Sequence, residues 1–91
     1  MDPSYTLAYE VLGKLEDYYP EFLVEAEMQD TALTKSAFYK AMIIAIETTE
    51  IPDQKAKRLV LRRLAEREKN TTRQAKNEIF DDLVSHKSAE E

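Results

Sequence analysis

The sequence predicts an all-α fold: a compact bundle of four to five short helices around a central apolar helix at about residues 34–49. Two observations carry this. The chain has one glycine in 91 residues, whereas hairpins and bulges draw on glycine for positive φ. It contains no Asn-Gly, Asp-Gly or Gly-Gly pair, and its β-branched residues do not fall in alternating runs.

Each element has its own signals. Asp2 can cap free amides and Pro3 suits a first helical position, so the first helix opens at the N-terminus. Its apolar face carries Tyr5, Ala8, Leu12, Leu15 and Tyr19, with Val11 and Tyr18 at the flank. Gly13 lies on the far side. Pro20 ends or kinks this helix, because Tyr19 is pushed out of αR geometry. Residues 20–29 restart as a short helix of poor periodicity. Thr31 or Thr34 caps the next helix, about 34–49, whose apolar positions (Ala37, Phe38, Ala41, Met42, Ile43, Ile44, Ala45, Ile46) wrap most of the way round. Such a helix is expected at the centre of the bundle or at a subunit interface. A turn with Pro52 and Asp53 opens a fourth helix that runs to about Lys69. "NTTRQ", residues 70–74, reads as a turn, with Thr71 and Gln74 at capping-box spacing. The fifth helix, about 72–87, is expected to bury Ala75, Ile79, Phe80, Leu83 and Val84.

At this length the chain reads as a single helical domain, 1–91, burying roughly 60–65% of its unfolded surface. It is 43% hydrophobic and 34% charged, too apolar for a disordered chain. The longest apolar run is six residues, 41–46, where a bilayer span takes about 20. The acidic start lacks the basic region of a secretory signal. With no Cys there is no disulfide framework and no thiol nucleophile. A cytoplasmic location with no membrane association is the expectation.

Charge is unevenly spread. Residues 1–34 hold one cation and eight anions, residues 52–76 nine cations and three anions, and residues 77–91 one cation and five anions. "KAKRLVLRR", 55–63, gathers five cations into nine residues of a chain whose net charge is −5. On a helix, Ala56, Val60 and Leu64 form a buried stripe, and Lys55, Arg58, Arg62 and Lys69 lie opposite. Arg63 and Arg67 stack along a third edge, beside Leu59. Three readings follow: a charge match with the acidic helices, within one chain or across a dimer; a docking surface for an acidic protein; or a nucleic-acid contact. The last takes a helix-turn-helix-like form, with the basic helix 52–69 and the start of the helix at 72 offering Lys55, Arg58, Arg62, Arg73 and Lys76. Glu78, Asp81 and Asp82 would then face phosphates, which argues against it.

Catalytic signals are absent. There is no Gly-rich phosphate loop, no Ser nucleophile elbow and no Glu-x-x-His pair. Glu78, Asp82 and His86 stand at i, i+4 and i+8, but a tight metal site needs ligands from a second element. Neither a metal nor another cofactor is expected. Tyr9 is the best candidate for an exposed aromatic contact. The reading that results is a non-enzymatic protein–protein interaction module, a small adaptor or regulatory and inhibitory protein. It is expected to self-associate as a homodimer and to bind a partner, itself acidic, through Lys55, Arg58, Arg62, Arg63, Arg67 and Lys69.

Overall fold

The computed structural model describes residues 2–89, and side chains as far as Ser85. Four α-helices follow in order: α1 (Pro3–Asp17), α2 (Tyr19–Ala26), α3 (Ala32–Thr48) and α4 (Gln54–Ala89). No strand occurs among the described residues, in line with the all-α expectation. A bundle of four to five short helices does not describe the molecule, which consists of three helical bodies: the bent α1–α2 rod, α3 and α4.

Asp2 caps α1 by accepting a hydrogen bond from the Ser4 amide at 2.9 Å. Tyr18 joins α1 to α2 while keeping helical geometry, φ −75 and ψ −17, and Tyr19 is the first helical residue of α2, so it is not pushed out of the helix as expected. The break arises at Pro20, which has no N–H to continue the ladder and sits in the first turn of α2, where none is needed. α2 ends at Glu27, whose φ of 54 places it in the left-handed region. Glycine is the usual residue there, and a side chain costs about 1 kcal/mol. Gly13 lies in α1 facing open space: apart from its own stretch of helix, nothing comes within 4 Å of where a Cβ would stand.

Thr31 caps α3, accepting from the Thr34 amide at 3.1 Å. α3 then runs antiparallel to α4. Ser36 meets Thr72 at 2.6 Å, Lys40 pairs with Glu68 at 3.6 Å, and the Lys57 ammonium donates to the Thr49 carbonyl at 2.9 Å. α1 packs on α4 as well. Ala8 and Leu12 of α1, Ile46 of α3, and Ala56, Val60 and Leu64 of α4 form the core. A second cluster gathers on buried Phe38, with Tyr19 at 5.0 Å and Phe22 at 5.1 Å between ring centroids. It holds α2 against α3.

Two expectations are corrected. The central helix is α4 rather than 34–49, because α4 is the one that packs on both α1 and α3. The outer side of α3, including Leu33, Ala37 and Ile44, is exposed. The turn at 70–74 does not exist, since α4 passes through it without a break. The Thr71 hydroxyl donates to the Arg67 and Glu68 carbonyls of its own helix instead of capping a new one. Of the five residues expected to be buried by a fifth helix, Ala75 is buried, while Ile79, Phe80, Leu83 and Val84 are exposed.

Candidate docking surface

The start of α4 is fixed by a polar staple to the start of α1. Asp53 caps α4 by accepting from the Ala56 amide at 3.0 Å, and Ser4 of α1 donates its hydroxyl to the same carboxylate at 2.9 Å. Both hydrogen bonds favour the charged form, so the Asp53 carboxyl is held below its ordinary range. Lys55, two residues on, pairs with Asp2 and lies 5.3 Å from the centroid of the Tyr5 ring. That pairing lowers the Asp2 pKa and raises that of Lys55.

Further along, Arg67 pairs with Glu16 of α1, and the Tyr39 hydroxyl of α3 donates to the same carboxylate at 2.9 Å. One carboxylate therefore ties three helices together. Burial, and then the bond to Glu16, push the Tyr39 pKa up to about 12. Arg63 meets Glu66 on its own helix at 3.4 Å.

The eight cations singled out in the sequence thus divide. Lys55, Arg63 and Arg67 have acid partners. Arg58, Arg62, Lys69, Arg73 and Lys76 are exposed, with no hydrogen bond or ion pair among the described residues. At about 100° per residue these five share one side of α4, opposite Ala56, Val60 and Leu64. Because α4 is unbroken, Arg73 and Lys76 extend the stripe of Arg58, Arg62 and Lys69. They do not open a separate recognition helix, and the expected helix-turn-helix geometry is not present.

Beside the stripe lies a cleft of about 280 Å³ between α1 and α4. Its apolar lining includes Leu12 of α1 and Leu59 of α4, with Tyr5 and Tyr9 on the α1 side and Arg62 and Arg63 on the other. Tyr9 is 62% exposed, the exposed aromatic that the sequence pointed to. Asp53 at the start of α4 was legible as a helix opener, but its bond to Ser4 and the role of Glu16 were not, since those partners lie on other helices and no local spacing reveals them. Among the described residues no group of three His, Asp or Glu side chains could hold a metal ion. The His86 side chain lies outside them, so the Glu78–Asp82–His86 spacing has no geometry to report. No described helix is long and apolar enough to cross a membrane. No protein-family model matches the sequence, and neither a curated protein nor a solved structure matches the chain.

Proposed function

We propose that this chain is a non-catalytic protein–protein interaction module, an adaptor or small regulator, acting in the cytoplasm. Its docking surface is the cationic side of α4 together with the neighbouring cleft. The observation that carries this reading is the set of five cations on one side of α4, unpaired among the described residues, in a chain of net charge −5. Acids elsewhere in the chain have taken up Lys55, Arg63 and Arg67, so the stripe is not a by-product of general basicity. The partner that fits is an acidic segment with an apolar side chain for the cleft. Arginine suits the role because its planar fork pairs with carboxylates in a bidentate fashion and its stem packs on apolar surface.

The test is a double charge reversal, Arg58→Glu with Lys69→Glu. Neither residue has a partner in the fold, so helix content and melting temperature should stay at wild-type values. A tagged full-length chain should retain a discrete acidic protein from its own cells, and the variant should lose it. Loss of helix signal in the variant would mean that the stripe serves the fold, and the reading would fall. Nucleic acid is the competing ligand of any cationic stripe. It predicts a mobility shift at about 50 mM salt that disappears steeply as salt rises.

A further inference from the structure

We infer that two copies of this chain pair through the projecting end of α4, antiparallel about a two-fold axis passing between Asp81 and Asp82. The inference does not rest on the acidic-partner reading, because it uses a different part of α4.

α4 is 36 residues long, and its neighbours end before it does. The register set by Ser36 against Thr72 and Lys40 against Glu68 brings Ala32, the first residue of α3, beside Lys76. Ala75 is the last buried residue among those described, and every side chain from 76 to 85 is exposed. Four of these are large and apolar: Ile79 at 51% exposed, Phe80 at 65%, Leu83 at 64% and Val84 at 47%. They sit at i, i+1, i+4 and i+5, which makes one continuous face. Glu78, Asp81 and Asp82 hold the opposite side. An arm that only reached into water would have no use for such a face.

The second copy is identified by three features. "IFDDLV", 79–84, reads as two apolar, two acidic and two apolar residues, a pattern symmetric about its own centre. In an isologous antiparallel contact residue i meets residue j and j meets i, so a pattern symmetric about its centre sets apolar residues against apolar residues. Antiparallel pairing sets Phe80 across from Leu83 of the other copy, with Ile79 and Val84 at the flanks. Polarity agrees: Ile79 and Leu83 continue the side of α4 that α3 covers, and α3 runs antiparallel to α4. The arm of a second copy supplies a helix of the same sense where α3 stops. The parallel alternative would set Arg73 beside Arg73 and Lys76 beside Lys76, stacking like charges next to the body of each copy. The antiparallel pair separates the two Arg73 residues by about 25 Å along the axis. A three-turn pair buries on the order of 1,000 Å² in total, the low end of specific interfaces. Contacts of that size sit at the weak, transient end, so the equilibrium is sought at about 10–100 μM chain.

Sedimentation equilibrium of the full chain should show a monomer–dimer equilibrium in that range. Phe80→Glu and, separately, Leu83→Glu should each weaken it by about 30-fold or more. Helix content should not change, since both side chains are exposed; Phe80→Ala gives a milder check of the same point. The chain has no Cys, so a spin label at Asn70→Cys reports one distance between copies. Antiparallel pairing about 81/82 places the two labels roughly 35 Å apart along the helix. A 10.6 kDa monomer at all concentrations up to about 1 mM would overturn the inference. So would a dimer indifferent to both substitutions, or labels within about 20 Å of each other, as parallel or full-length α4 pairing would give.

Discussion

At the scale of single residues, two carboxylates perform work that composition does not reveal. Glu16 accepts from Tyr39 and pairs with Arg67, and Asp53 accepts from the Ala56 amide and the Ser4 hydroxyl. The Asp53 carboxyl is depressed from an ordinary 3.8, first by the Ala56 amide and then by Ser4. A folded-state pKa below the unfolded value gives stability that is fully present above 3.8 and is lost as pH falls through the folded value. Asp2, depressed chiefly by Lys55, adds to the same limb. Thermal melting followed from neutral pH downward should therefore show stability falling off below about pH 4. Asp53→Asn keeps a good capping side chain but removes the titrating group, so its acid limb should be shallower than that of the wild type. Parallel limbs for the two proteins would show that Asp53 is not depressed in solution.

At the scale of elements, the helices around Asp2, Pro20 and Thr31 were legible because cap and breaker chemistry is local. Asp2 and Thr31 bond amides two or three residues away, and Pro20 acts on its own ladder. "NTTRQ" misled for the converse reason. Ser, Thr and Asn hydroxyls and amides mark turns when they bond the local backbone outside a helix. Here the Thr71 hydroxyl bonds back to carbonyls within α4, and Thr72 reaches across to Ser36 of α3. With neither Gly nor Pro in the stretch, nothing compels the helix to stop. The polar residues mark the place where α3 crosses α4, a long-range fact that no window of sequence holds. Ser36 is buried, so its hydroxyl needs a partner. Thr72→Val is expected to cost about 1–2 kcal/mol by leaving that hydroxyl unpaired. Adding Ser36→Ala should recover the part of the loss that comes from the unpaired Ser36 hydroxyl, while the bond that Thr72 donates to Glu68 at 3.0 Å stays lost. Denaturant unfolding of the two single variants and the double variant measures the coupling. Strictly additive losses would show that the two hydroxyls do not depend on each other.

At the scale of the whole molecule, the fold is a body with a projection. The extents are 59 × 26 × 22 Å, and α4 alone accounts for about 54 Å of the longest. The sequence pattern of 72–87 matched a core helix because amphipathic periodicity records that a face will be covered, and not by which chain. Ile79, Phe80, Leu83 and Val84 have the pattern of buried residues and lie open in the single chain. Cover from a second copy resolves that conflict without changing the helix. The division between body and projection makes a separate prediction. The core draws on α4 from Ala56 to Ala75, and residues 76–85 bury no side chain. A chain ending at Lys76 should therefore keep its body intact, losing only the helix that protruded and about 1 kcal/mol or less from the new fraying end. Its helical ellipticity should fall in proportion to the residues removed, its melting transition should stay cooperative and close to that of the full chain at low concentration, and its self-association should vanish. A large drop in melting temperature in dilute solution would mean that the end of α4 folds back on the body of its own chain, and both the projection and the antiparallel pair would have to be abandoned.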